Sequence, residues 1–203
     1  MELQGQIVGA GGLATVQFDP SKGLLVTELR GKYAEFARRG QFFTSYVSAV
    51  ATSLAATATI GNMVWNPPGS GVRLEMAKWT SQIVATSISC TGIGIAGGYQ
   101  TTTPTTTTAA TATGSTRIAA TTLSAGKAIA YSIATVLTAP VVIGVLHHNT
   151  AAIATTGEDI QGGDFEGSIV VEEGGFVTLV AFGAAAAASA HTSSISWIEV
   201  PTR

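Results

Sequence analysis

Apolar and polar residues alternate with a period of two in several short runs, and this pattern constrains the fold more than any other feature of the sequence. Alternation occurs at residues 72–77, 129–134 and 176–182, and a period of two is typical of a strand. Segments rich in Gly and Pro, such as Asn66–Gly71 and Glu172–Gly175, separate the runs and predict turns. The pattern predicts an all-β sandwich or barrel with little helix.

The last of these runs is apolar on both sides of the predicted strand. Val177 and Leu179 point to one face, and Phe176 and Val180 point to the other. A strand of this kind is typical of a sheet that is packed on both faces. We predict that it forms a hairpin with a short strand at residues 168–171, joined to it by the turn that contains two glycines.

Charge and side-chain size exclude two broad classes. Charged residues make up 11% of the chain, against about 25% in an average soluble protein. Ala, Thr, Gly and Ser together occupy 101 of the 203 positions. A long-helix bundle needs charged exposed faces, and a disordered chain combines high charge with low hydropathy. The net charge of −2 and the lack of a Lys/Arg cluster also argue against a nucleic-acid partner.

Neither a disulfide framework nor a membrane span is expected. The chain has one cysteine, Cys90, which excludes an intrachain disulfide and a multi-cysteine metal site. The first residues include no basic segment before an apolar run, so no secretory signal is expected. Residues 128–146 are long enough to cross a bilayer as a helix, but their alternation and Pro140 favour strands of a soluble protein.

Glycines divide the first part of the chain. We interpret residues 1–40 as an N-terminal arm with one strand at Leu24–Leu29, followed by a β-sandwich domain over residues 41–203. Residues 33–58 fit a helix and a strand equally well, so their secondary structure stays open. The Thr-rich segment 101–117 is compatible with an edge strand or an exposed loop, and a loop is favoured.

Two motifs suggest chemistry, and each has a plainer interpretation. The segment Gly9–Ala14, with Glu28 further on, matches a dinucleotide-binding pattern. The residues that follow it leave no room for the helix that such a site requires, so we interpret it as part of a turn-rich arm. His147 and His148 are neighbours on a predicted strand and point to opposite faces. They could hold one metal ion only with His191, a carboxylate or symmetry-related chains.

Acidic and nucleophilic residues give no stronger signal. The acidic residues between positions 158 and 173 lack the spacing of a calcium loop and predict a solvated loop: Glu158, Asp159, Asp164, Glu166, Glu172 and Glu173. No serine lies in a nucleophile elbow. We predict no catalytic residue, no cofactor site, no metal site and no enzymatic activity.

Seven short segments, taken in order and spacing, resemble a family of virion structural proteins from tailed bacteriophages. They are Glu28–Tyr33 with Arg39-Gly40, Trp65-Asn66-Pro67, Ser70-Gly71-Val72, Gly167–Val171 with Gly174-Gly175, and Trp197–Pro201. The family resembled is that of head decoration or cement proteins. The chain departs from the family pattern at Glu173, where a proline is expected, and in its Thr-rich segment.

The resemblance implies both a fold and a role. The fold would be a jelly-roll-like β-sandwich, and the protein would bind the phage major capsid protein and stabilise the head. It would be made in the host cytoplasm and reside on the capsid surface of the virion. The alternative is a tail or fibre β-sandwich module that binds a host receptor or glycan. An exposed aromatic groove built from Trp65, Trp79 or Trp197 would favour that alternative.

We further expect a homo-oligomer, a trimer, with the arm in contact with the capsid. Low charge and small side chains leave more apolar surface than one small sandwich can bury, and large exposed apolar patches are typical of interfaces. A glycine-interrupted arm can add a strand to an exposed sheet edge. The apolar residues of the arm that would become buried on the head are the candidate capsid contacts: Ile7, Val8, Leu13 and Phe18.

Overall fold

The structure is a computed structural model. It describes residues 5–9, 12–18, 24–25, 32–51, 62–83, 92–108, 114–115, 126–148, 161–182 and 190–202. These residues form strands and a single six-residue helix. The predicted all-β class is therefore confirmed.

The elements are numbered in chain order. They are β1 (Gly5–Gly9), β2 (Gly12–Phe18), β3 (Leu24–Leu25), α1 (Ala34–Arg39), β4 (Phe42–Ala51), β5 (Met63–Trp65), β6 (Val72–Ile83), β7 (Gly92–Tyr99), β8 (Thr105–Thr108), β9 (Gly114–Ser115), β10 (Ile129–Tyr131), β11 (Ile133–Thr135), β12 (Val141–His148), β13 (Gln161–Asp164), β14 (Val170–Val171), β15 (Gly175–Phe182) and β16 (Ala190–Pro201).

Two antiparallel sheets form the main body. The first has the order β10-β5-β15-β7-β12, and the second has the order β13-β6-β16-β4-β9 with β14 also on β6. One cluster of buried side chains contains Val64 and Val177 from the first sheet and Leu74 and Trp197 from the second. The two sheets therefore pack face to face as a sandwich. The jelly-roll connectivity stays a prediction.

The five-stranded sheet is covered on its other face as well. A second buried cluster contains Trp65 of β5, Phe176 of β15 and Val136, which follows β11. Strand β15 therefore contributes Val177 to one cluster and Phe176 to the other. Its prediction as a strand that is packed on both faces is confirmed.

Strand β7 is rich in glycine because large side chains lie against it. A methyl group on Gly94 would meet the ring of Phe182, and one on Gly98 would meet the ring of Phe176. Both rings belong to β15, the neighbouring strand in the sheet. Glycine here provides room for aromatic side chains on the sheet surface, instead of ending a strand.

The predicted hairpin at residues 168–182 is wrong. The turn forms, with Gly174 at φ +81° and a hydrogen bond from Gly175 N to Glu172 O of 2.9 Å. Strand β14, however, pairs with β6 and not with β15, so the two strands belong to different sheets. The turn is an arch from one layer of the sandwich to the other.

Two further interpretations need correction or completion. The segment left open between helix and strand contains both: α1, and then the long strand β4. The loop favoured for the Thr-rich segment is wrong at Thr105–Thr108, which pairs with β11, and at Gly114–Ser115, which pairs with β4. β-branched threonine favours an extended backbone once a partner strand is present.

The first part of the chain forms a compact unit of its own. Contacts divide the chain into Met1–Glu35 and Phe36–Arg203. The first unit contains a three-stranded sheet in the order β1-β2-β3, so the prediction of one strand at Leu24–Leu29 is wrong. The structure places a strand at Leu24–Leu25 only, and residues 26–29 lie outside the described part. The β-branched residues of β1 and β2 outweigh the glycines around them.

The apolar segment 128–146 forms strands β10, β11 and part of β12, as its alternation predicts. No helix in the described part of the chain has the length and hydropathy that a bilayer-crossing helix requires.

Candidate interaction surfaces

Strand β12 exposes an unusual run of apolar side chains. It lies at the edge of the five-stranded sheet and pairs with β7. The exposed fraction is 72% for Val141, 56% for Ile143 and 62% for Val145, and 37% for Val142. Leu137, shortly before the strand, is 74% exposed. We call these five residues the apolar edge.

Four of the five residues of the apolar edge lie on β12, whose pairing with β7 is irregular. The register between β12 and β7 shifts between Val142 and Gly144 and again between Val145 and His147. Each shift marks an irregularity of the ladder such as a β-bulge, and a bulge increases the local twist of a strand. Residues 137–146 contain no charged side chain. Edge strands in soluble proteins usually carry charges that discourage pairing with another chain. Residues 137–146 lack this protection.

The candidate capsid contacts of the arm lie on two paired strands. Ile7 and Val8 are in β1, and Leu13 and Phe18 are in β2. The antiparallel register places Val8 opposite Leu13 and Ile7 opposite Ala14. The structure thus brings the first three candidates to one end of a hairpin, with Phe18 at the other end of β2.

The turn before β6 is held by a buried asparagine. The side chain of Asn66 is fully buried; its Nδ2 donates to Val72 O at 2.8 Å and to Val171 O at 3.2 Å. Its Oδ1 accepts from the hydroxyl of Ser70 at 2.7 Å. Its backbone pairs with the arch: Asn66 N donates to Gly175 O at 2.9 Å. One side chain therefore fixes the turn and the crossing between the sheets.

Glu173 binds the same turn from the arch. Its carboxylate accepts hydrogen bonds from Gly69 N at 2.8 Å and from Gly71 N at 2.9 Å. Both glycines have positive φ, +77° and +71°, which turns their N–H groups toward one anion. A side chain at position 174 would collide with the ring of Tyr99, so glycine fits there. Glu173 thus joins the arch to the turn before β6.

Glu199 makes a comparable contact at another place in the core. It is 6% exposed, and its carboxylate accepts from Lys127 N at 2.8 Å and from Ala128 N at 2.9 Å. The indole of Trp197 donates to it at 3.4 Å. A methyl group on Gly126 would collide with the Glu199 carboxylate. The buried charge is solvated by backbone N–H groups, as a buried carboxylate requires, and it fastens the segment before β10 to β16.

The other sequence motifs are not assembled into sites in the described part of the chain. Gly12–Phe18 is a strand, whereas a dinucleotide site needs a helix there. His147 and His148 lie on β12 of one sheet, and His191 lies on β16 of the other. Within the described residues no group of three or more His, Cys, Asp or Glu side chains is placed to hold a metal ion.

The acidic segment is only partly described. Glu158 and Asp159 lie outside the described residues. Asp164 accepts a hydrogen bond from Glu166 N at 2.9 Å, which stabilises the turn after β13. Glu173 binds the turn before β6, as above. The carboxylates of Asp164 and Glu173 therefore bind backbone groups in turns. The prediction of a solvated loop is wrong where β13 and β14 form.

The three tryptophans are buried. Their exposed fractions are 3% for Trp65, 6% for Trp79 and 0% for Trp197. The indole of Trp65 donates to Gln100 O at 3.2 Å. None of them presents a ring face on which a sugar could stack.

The buried Tyr131 gives the fold a dependence on alkaline pH. Burial raises the pKa of its hydroxyl above the ordinary value of 10.0, because the charged form is disfavoured away from water. Above about pH 10 the unfolded chain loses this proton first, so the free energy of unfolding falls as pH rises. In Tyr131→Phe the decrease between pH 9 and 11 should be smaller than in wild type. Urea unfolding across this range measures it, and parallel curves would contradict the prediction.

Comparison of the chain with protein-family models, with curated proteins and with solved structures found no match.

Proposed function

We propose that the chain is a structural virion protein of a tailed bacteriophage, which binds the assembled head and stabilises it. The sequence resemblance supports this role, and so does the all-β sandwich with an exposed, uncharged apolar edge. A surface of this kind is typical of a protein that functions in contact with other protein chains. The proposed role is non-enzymatic, and its location is the capsid surface after synthesis in the host cytoplasm.

The proposed contact with the major capsid protein is the arm. Residues 1–35 form a compact unit of their own, and the proposed contact with the coat protein is assigned to this unit. Ile7, Val8 and Leu13 supply apolar side chains, and a strand of the arm can extend a sheet of the coat protein. The sandwich is proposed to act as a homotrimer, so that three arms bind one head site together.

A binding that occurs only on the assembled shell stabilises the shell by mass action. The gain is about 2.7 kcal/mol per site when the free protein is at one hundred times its Kd. This provides a physical route from attachment to head stability, and it predicts that the protein raises the temperature at which empty heads disrupt.

The test measures binding to purified empty heads by co-sedimentation. Removal of residues 1–35 should weaken binding at least tenfold, about 1.4 kcal/mol, because the arm contacts are lost. The full-length variant Val8→Asp should weaken binding in the same direction. The control is Val170→Asp, an exposed valine on β14 of the sandwich, which should bind like wild type.

Thermal unfolding separates binding from folding. The truncated chain should melt close to the full-length value, because both large sheets lie in the second unit. Unchanged head binding by the truncated chain would overturn the role of the arm. Binding of the full-length chain to bacterial surface polysaccharide, with no binding to heads, would instead support the tail or fibre module.

A further inference from the structure

The apolar edge needs a partner because of its size. Its five side chains expose between 37% and 74% of their surface. Together they present on the order of 500 Å² of apolar area, the size at which a patch on a protein surface is often an interaction site. Val170, on the other sheet, is an exposed valine outside this run.

The chemistry of the apolar edge fits a second copy of this chain. Residues 137–146 contain no charged side chain, so two copies of the edge meet without a like-charge contact, which would destabilise strand pairing. The net charge of −2 on 203 residues adds little long-range repulsion between copies. If the partner presented a charged surface instead, its charges would face the apolar edge and find no opposite charge there.

Shape and area support the same partner. The two register shifts interrupt the regular pairing of β12, and a second copy carries the same irregular edge. Two contacting edges would bury on the order of 1,000 Å² in total, which reaches the lower limit for a specific interface.

We infer that the apolar edge, Leu137 with Val141, Val142, Ile143 and Val145, is the surface through which copies of this chain associate. The inference rests on the proposed self-association of the chain, and not on head binding, on the arm or on the number of copies. Two like edges that meet form a two-fold contact, so a trimer would need a further contact between copies. It assigns the contact between copies to one edge of the five-stranded sheet.

The test is the oligomeric state of the full-length chain, measured by sedimentation velocity at about 10 µM. Wild type should sediment as an oligomer. The double variant Val141→Lys/Val145→Lys should sediment as a monomer, with association weakened at least 100-fold, because lysine on an edge strand discourages pairing. The control Val170→Lys replaces an exposed valine of the other sheet by lysine. This variant should stay oligomeric. A milder variant, Val141→Thr/Val145→Thr, should weaken association at least tenfold.

The outcomes distinguish this inference from the proposed function. If wild type and the lysine double variant both sediment as oligomers, the inference is wrong, and the proposed oligomer is still supported. If that variant stays oligomeric but loses binding to empty heads, the edge contacts the coat protein and the inference is wrong. A monomeric wild type would overturn both the inference and the oligomer. Far-UV circular dichroism checks that each variant keeps its strands.

Discussion

Replacement of Trp197 by alanine should lower the free energy of unfolding by about 3–5 kcal/mol, as expected for a large aromatic side chain removed from a core. Trp197 is fully buried between the two sheets. Its ring stacks on Phe43 with a centroid distance of 6.0 Å and an interplanar angle of 20°. Alanine would remove this contact and leave a cavity that the surrounding strands can only partly fill.

Urea unfolding of wild type and variant measures the loss. Trp197→Phe keeps an aromatic ring at the same place and should cost less than Trp197→Ala. Tyr46→Ala is a control for aromatic truncation on the sandwich surface, since Tyr46 is 52% exposed, and it should cost less than 1 kcal/mol, about the limit for a surface change. A loss below about 1 kcal/mol for Trp197→Ala would show that the two sheets do not pack around this residue.

Asn66→Asp should destabilise the fold by about 3 kcal/mol or more at neutral pH, although the two side chains have nearly the same shape. The Nδ2 group donates to the carbonyls of Val72 and Val171. A carboxylate at this place would direct negative charge at both carbonyl oxygens in a site closed to water. Burial of a charge without donors is among the most destabilising substitutions.

The pH dependence of this variant separates charge from shape. When the carboxyl group of Asn66→Asp is protonated at low pH, it can again donate one hydrogen bond. The difference in unfolding free energy between wild type and Asn66→Asp should therefore shrink as pH falls from 7 to 4. Ser70→Ala, which removes one hydroxyl donor to Asn66, should cost only about 1 kcal/mol. A deficit of Asn66→Asp that is constant with pH would contradict the buried-charge explanation.

The strands with clear alternation could be predicted from the sequence, and their pairing could not. Strand β6 and strand β15 occur where the period of two places them. The pairing of β14 with β6 was missed, because a turn with two glycines between apolar runs usually indicates a hairpin. The contacts that make this turn an arch join Asn66 to Gly175 and Glu173 to Gly69, each pair separated by about one hundred residues of sequence. No local pattern contains that information.

The exposure of the apolar edge and the contacts of Glu199 also could not be predicted from the sequence. Residues 141–146 read as an apolar β-branched strand, and such runs are typical of strands buried in a core. Their exposure follows from the position of β12 at the end of the strand order, which depends on pairing with β7. Glu199 was missed for a related reason: a single carboxylate in an apolar strand gives no signal until the backbone N–H groups of Lys127 and Ala128 are in place around it.

The position of β16 has a consequence for synthesis of the chain. This strand follows all the others in the sequence, yet it lies in the middle of the six-stranded sheet, between β6 and β4. Thr44 of β4 and Thr80 of β6 bond to Ser196 and Ser194 over separations of 152 and 114 residues. On the ribosome, β4 and β6 are synthesised early. The edge of each strand that pairs with β16 has no partner until β16 has been made.

Because β4 carries no charged residue, its unpaired side is open to pairing with other nascent chains. Removal of residues 190–201 would accordingly take out the centre of the sheet, and a shortened chain should accumulate as aggregate, not as a slightly less stable sandwich.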